Sequence, residues 1–229
     1  MSRTAESTGD FDAVSRVLDA FRAGEPVLVH DFDDREGETD LVYPAGAVTP
    51  ADVGRMRNDA GGLVCVALPN DVSESLGLPF IDDVLDHPAA SSHDLAYDSR
   101  SSFSFTVNHR DSFTGITDRD RAMTISRLAP VAEATRAGEY TADDFGGEFR
   151  APGHVHLLRG APNLLSDRQG HTELGLALAD EAGVPPAVVV CEMLDDETGA
   201  ALSKDAARDY ADRHGFAFVD GDGLIDELV

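Results

Sequence analysis

The sequence has no tryptophan, one lysine (Lys204) and two cysteines, Cys65 and Cys191. Aromatic residues make up 7% of it, and basic residues number 18 against 43 acidic ones. Each scarcity excludes something. Two distant cysteines do not frame a disulfide-stapled fold; they predict free thiols in an intracellular chain. No apolar run approaches the roughly 18 residues of a membrane span. The N-terminus, MSRTAESTGDFDAV, lacks an apolar stretch of leader length, which predicts an uncleaved, cytoplasmic protein. The net charge of −25 would repel nucleic acid and anionic membranes, so neither is expected as a partner. The acid excess is spread along the chain rather than gathered in a tail. Such a surface is best tolerated where salt screens its self-repulsion, which predicts a protein of a salt-loving cell.

What remains is an ordinary globular composition, 42% apolar and 27% charged over 229 residues. No linker or repeat divides it, so one domain over 1–229 is expected, with its core at about 14–219. Val14, Val17, Leu18 and Phe21 recur at helical spacing, and Gly24 ends that helix. PVLVHDF and LVYPA are strands. Thr49-Pro50 opens a helix with Asp52 as capping-box partner, and Gly61-Gly62 closes it. LVCVAL is a strand, and residues 71–95 are a short helix followed by a long polar loop. FSFTVN is a strand. A helix runs from Asp118 through Ala122, Ile125 and Leu128, and Pro130 starts a separate helical piece. HVHLL is a strand and HTELGLALADEAG a helix stopped by Gly183. PAVVVCEML is a strand covered on both faces. Ser203 caps a helix to His214, FAFV is an edge or near-edge strand, and LIDEL a last short helix. This order predicts one sheet with helices on both faces.

Four segments carry candidate chemistry. DFDDREGETD (31–40) holds Asp31, Asp33, Asp34, Glu36, Glu38 and Asp40 around Arg35. It is either a solvated hairpin or a set of oxygen ligands for a hard cation, with an arginine for an anionic substrate. In extended chain Glu36, Glu38 and Asp40 would share one face. RAPGHVHLLRG places His154 and His156 two apart, on one side of a strand. SDRQGHTELG sets Arg168, Gly170, His171 and Thr172 at a helix mouth, where free N–H groups and the positive dipole end suit a phosphate; alternatively Thr172 or Asp167 merely caps the helix. Glu192 ends the apolar strand, either at a wet sheet edge or as an acid–base group beyond the strand ends.

In this order, DDREGETDLVYPA, FTGITDRDRAMTI, FRAPGHVHLLRG and DRQGHTELGLALADEAGVPPAVVVCEML resemble four segments of the 3,4-dihydroxy-2-butanone 4-phosphate synthase family. The resemblance runs from about Val14 to Val219. It implies an α+β fold, a single-domain three-layer sandwich with a mixed, twisted sheet covered by helices on both faces. It also implies conversion of ribulose 5-phosphate into 3,4-dihydroxy-2-butanone 4-phosphate and formate in riboflavin biosynthesis. The implied cofactor is Mg2+ or Mn2+, one or two per site, with Glu36 and His171 as metal ligands. His154 and Glu192 match the catalytic positions. Arg35, Glu36, Glu38, Asp40, Thr114, Arg168, Gln169, Gly170, His171, Thr172 and Glu192 match substrate contacts. Asp120 and Arg121 match a D-R pair, and Cys65 a cysteine near the site. The resemblance further implies a homodimer with sites near the subunit interface, and a monofunctional chain without a GTP cyclohydrolase II domain.

The chain departs from the family pattern at Gly37, Thr39, Phe113, His156 and Gln169, and residues 82–102 match poorly. His156 is therefore expected to be structural. Two rival readings remain at this level. One is another metal-dependent sugar-phosphate isomerase or aldolase, which would release no formate. The other is a non-catalytic nucleotide-binding module of related fold, which an acidic surface disfavours.

Overall fold

Alternation along the central strands divides the apolar side chains between two cores. A computed structural model describes residues 3–32, 35–90, 98 and 100–228, with backbone alone for 3–12. Its strands are β1 (Val27–His30), β2 (Thr39–Pro44), β3 (Cys65–Leu68), β4 (Phe103–His109), β5 (Phe149–Arg159), β6 (Val188–Glu192) and β7 (Ala217–Asp220). They form one mixed sheet in the order β4-β5-β3-β6-β2-β1-β7. The β1–β7 and β3–β5 pairs are parallel, and the other four antiparallel. Leu28, Leu41, Tyr43, Val66, Val189 and Cys191 face one core. Their neighbours Val27, Val29, Val42, Cys65, Val188 and Val190 face the other. Each fully buried Val or Leu contributes about 1.5–3 kcal/mol relative to exposure.

The helices are α1 (Arg3–Arg22), α2 (Pro50–Asp59), α3 (Asn70–Ser75), α4 (Ile81–Val84), α5 (Asp118–Arg136), α6 (Ala142–Glu148), α7 (His171–Ala182), α8 (Lys204–His214) and α9 (Gly221–Leu228). Val53 and Met56 of α2, Ile125 and Leu128 of α5, and Ala207 and Tyr210 of α8 pack on the first face. Val17 and Phe21 of α1, Leu174 and Leu178 of α7, and Leu224 of α9 pack on the second. The result is the expected three-layer α+β sandwich. β6 lies at its centre, covered on both faces, and β7 is an edge strand. No helix among the described residues is long and apolar enough to cross a membrane.

Two local expectations are corrected, and one helix had no expectation. Pro130 does not start a new helix; α5 runs through it. Pro130 is on the exposed side, while Leu128, Ala129, Val131 and Ala132 around it are buried. Burial of that face outweighs the one hydrogen bond a proline removes. Beyond the short helix α3, the 71–95 segment forms α4 and a 3-10 turn at Pro88–Ala90, with residues 91–97 outside those described. Finally, α6 was not foreseen. Thr141 and Asp144 form a capping box there, with Thr141 N–H to Asp144 Oδ2 at 3.0 Å and Asp144 N–H to Thr141 Oγ1 at 3.3 Å.

Candidate active site

The acidic segment is the loop of the β1–β2 hairpin. Asp31, buried at the end of β1, organises it. Its N–H donates to the Glu38 carbonyl at 3.0 Å. Its carboxylate accepts the N–H groups of Glu38 (2.9 Å) and Glu36 (3.3 Å) and Nη1 of Arg35 (3.2 Å). The chain turns at Arg35-Glu36, and Gly37 takes a φ of +66°, a left-handed conformation that suits glycine. The loop is therefore not extended. Glu36 and Asp40 line a cavity of about 260 Å³, and Glu38 sits beside it, off the cavity wall. Asp33 and Asp34 lie outside the described residues.

The mouth of α7 forms a second wall. Gly170 is its N-cap and no side chain caps the helix; Asp167 instead accepts from Asn163. A Cβ at Gly170 would lie 2.8 Å from Arg168 Nη1 and 3.0 Å from Arg35 Nη2. Glycine thus leaves room for two guanidiniums to converge. Arg168 Nη1 donates to the fully buried Glu173 at 2.8 Å. Arg35 Nη2 and Arg168 Nε both donate to Oδ2 of Asp98. Thr172, Cys65, Leu158, Val190, Glu192 and the segment Arg100, Ser101, Ser102 and Phe103 complete the wall. Glu192 ends β6 directly opposite Asp40 on β2.

Crowding of carboxylates dominates the electrostatics. Burial pushes Asp40 well above the usual carboxylate range, reinforced by the charges of Glu192, Glu38 and Glu36. Burial also raises Glu36, against the pull of Arg35. Glu38 is raised by burial and by Glu36 and Glu192. Burial holds His171 down at about 4, so its imidazole is neutral and able to coordinate at neutral pH. Burial pushes the Cys65 thiol well up, which removes it as a thiolate nucleophile.

These groups fit a divalent cation. Ligand atoms of Asp31, Glu36 and His171 lie within 4.8 Å of one another. His171 Nδ1 stands 3.6 Å from Asp40 Oδ1 and 3.8 Å from Glu36 Oε2. Asp40 Oδ1 and His171 Nε2 are buried with no hydrogen-bond partner among the described residues. Orphaned buried donors and acceptors are costly, and a cation in the cluster would relieve both the orphaned oxygen and the like-charge crowding.

The family model for 3,4-dihydroxy-2-butanone 4-phosphate synthase matches residues 15–227. The chain belongs to this family. It is 52% identical over 218 residues to the synthase of Archaeoglobus fulgidus, covering 91% of each chain. It is 49% identical to that of Methanosarcina acetivorans, covering 94% of this chain and 91% of the relative. A solved synthase in complex with two magnesium ions superposes with a TM-score of 0.78 at 28% identity, covering 94% of this chain and 95% of that one. The synthase is a lyase of riboflavin biosynthesis, and the family membership favours that activity over both rival readings.

Of the expected synthase residues, Arg35, Glu36, Asp40, Arg168, His171, Thr172 and Glu192 meet in one cavity, and Gly170 makes room for its arginines. Gln169 is exposed and turned off the cavity. His154 and Thr114 are exposed and do not reach the cavity within this chain. His154 and His156 do not act as a pair, because β5 bulges between Arg150 and Val155; His156 packs edge-on against Phe103 at 5.8 Å, as a structural residue would. Asp120 accepts the N–H groups of Phe113, Thr114 and Gly115, and Arg121 donates to Asp118. The sequence reading missed Asp31 as loop organiser, Arg100, Ser101 and Ser102 on the cavity wall, and Asp98 as the acceptor shared by Arg35 and Arg168. The polar run DSRSS entering an apolar strand was the available signal.

Proposed function

We propose that this cavity binds ribulose 5-phosphate and converts it to L-3,4-dihydroxy-2-butanone 4-phosphate and formate, in a single synthase domain over 1–229. One observation carries the reading: the acidic hairpin, the arginine pair at the α7 mouth and Glu192 converge on one cavity. Arg168 and Arg35, with the N–H groups of the uncapped α7 mouth, hold the phosphate. Glu36 and His171 hold one or two divalent cations. Magnesium prefers oxygen, and manganese suits the mixed set at least as well. Such a cation supplies a Lewis acid that stabilises enediolate charge. The reaction removes a proton from carbon 3, expels the carbon 1 hydroxyl as water, rearranges the skeleton, adds a water to carbon 4 and breaks the carbon–carbon bond so that carbon 4 leaves as formate. Glu192 and His154 are the acid–base groups, and the apolar wall of Leu158, Val190 and Phe103 limits bulk water around the reactive diketone.

His154 requires a second copy of the chain. Its hydrogen-bond partner Asn108 packs against Gly115, in the turn that carries Phe113, 91% exposed, and Ile116, 52% exposed. Large exposed apolar side chains beside a functional residue favour an interface, and a homodimer would carry one protomer's His154 to its partner's cavity. The deciding experiment measures formate from ribulose 5-phosphate, with and without magnesium, in molar potassium chloride. Metal-dependent formate with an equal amount of four-carbon phosphate is expected. Substrate loss without formate would make the enzyme an isomerase or aldolase, and no turnover by a folded, metal-loaded dimer would overturn the catalytic reading.

A further inference from the structure

His154 stands where β5 loses register with β4. Val107 pairs with Val155, but the next pair is Asn108 with Arg150. Residues 151–154 are therefore extra, a bulge that lifts His154 out of the ladder and re-aims it. Asn108, 3% exposed, fills the gap from β4. Its Oδ1 accepts the backbone N–H of His154 at 2.8 Å, which fixes the orientation of the amide. Nδ2 then lies 3.1 Å from Nδ1 of the imidazole. Oδ1, already engaged, is farther from that nitrogen, at 3.3 Å.

The seat is built around this contact. Gly115 has a φ of +90°, and a Cβ there would lie 2.0 Å from Asn108 Nδ2. A Cβ at Gly153 would lie 1.9 Å from the Val107 carbonyl carbon. Only glycines let the turn and the bulge close on Asn108. The Asp120 carboxylate clamps the turn from the far side, accepting Gly115 N–H at 2.9 Å and Thr114 N–H at 3.2 Å. Nothing in the family resemblance pointed to Asn108.

We propose that Asn108 is a positioning residue that sets the His154 tautomer. By donating Nδ2–H to Nδ1, it leaves the proton on Nε2, the nitrogen presented outward. Within the acid–base pair His154 is then the donor, presenting Nε2–H to a substrate oxygen where negative charge develops, and Glu192 is the base that removes the proton. This rests on the reading of His154 as a group that meets substrate.

The test is nitrogen NMR of the whole enzyme labelled at histidine, with kinetics of Asn108→Asp. A carboxylate in this place still accepts the backbone N–H but also accepts from the ring, which moves the proton to Nδ1. The expected wild-type spectrum shows His154 protonated on Nε2. The expected Asn108→Asp spectrum shows it on Nδ1, with kcat reduced at least about tenfold and KM within about twofold. A wild-type ring protonated on Nδ1 overturns the proposal, and this spectrum decides even if Asn108 variants fail to fold. So does a folded Asn108→Asp enzyme with wild-type kcat. His154→Ala separates the two readings: normal turnover in that variant removes His154 from the reaction, while the spectrum still decides what Asn108 does.

Discussion

Charge at the cavity makes its own forecasts residue by residue. Asp98 holds two guanidiniums on one oxygen, yet neither depends on it. Arg168 keeps Glu173 at 2.8 Å, and Arg35 keeps Asp31 at 3.2 Å. Asp98 therefore adds a negative charge where a phosphate must arrive. Unit charges about 4 Å apart interact by about 4 kcal/mol at an effective dielectric of ~20, and partial screening reduces this. Asp98→Asn should tighten inorganic phosphate binding about tenfold by calorimetry. Weaker binding would mean that Asp98 holds the arginines in place instead. The raised carboxylates make a second forecast. Asp40, Glu36 and Glu38 titrate higher in the folded than in the unfolded chain. Within that window the native state binds more protons, so their contribution to stability falls as pH rises. His171, held at about 4, has the opposite sign: its contribution is gained as pH rises from about 4 to its ordinary range. Because the cation needs ionised carboxylates, the increase in unfolding temperature produced by magnesium should be larger at pH 8 than at pH 5. Glu36→Gln should lose most of it. Equal increments at both pH values would place the cation elsewhere.

At the scale of elements, caps and periodicity were legible, while closures made by distant groups were not. The Thr49-Pro50 start of α2 was plain because its partner is local: Asp52 Oδ2 accepts Thr49 N–H at 2.9 Å and Thr49 Oγ1 at 2.6 Å. Thr49→Ala should cost about 1 kcal/mol in chemical denaturation and leave kcat unchanged, since no atom of α2 lines the cavity. A fall in turnover at equal stability would show that α2 reaches the site through the sheet. The α7 stop at Gly183 was equally local, a φ of +68° at the C-cap. Two misreadings share a cause. The turn at Arg35-Glu36 follows from a buried Asp31 collecting N–H groups, and the bulge at His154 from an asparagine 46 residues away. Periodicity carries no record of either partner. α6 was missed because its only buried apolar side chain is Phe145, too little to make a pattern. The chemistry of the cavity was legible as residue types in four segments. Asp98 was not, because it belongs to the stretch with the weakest resemblance.

The whole molecule adds two constraints that no element shows. A net charge of −25 stores self-repulsion that salt relieves, so the unfolding temperature should rise with potassium chloride into the molar range. A flat or falling trend would leave the acidic surface without a salt-dependent role. The second constraint is the separation of His154 from Glu192. Glu192 lines the cavity, and exposed His154 is not part of its lining; Asn108 joins His154 to the turn that carries exposed Phe113 and Ile116. If each site takes its histidine from the partner, His154→Ala and Glu192→Gln damage the same site through different chains. Mixed dimers then hold one site with both lesions and one site with none. Random exchange at equal amounts makes half the dimers mixed, and half of their sites intact, so about a quarter of wild-type activity should return. Each variant alone should be nearly inactive, and ultracentrifugation should report a dimer. A site built within one chain would give no recovery, because every site in the mixture would carry one lesion. Activity after mixing and subunit exchange therefore reads the architecture of the site directly, independent of which proton each residue moves.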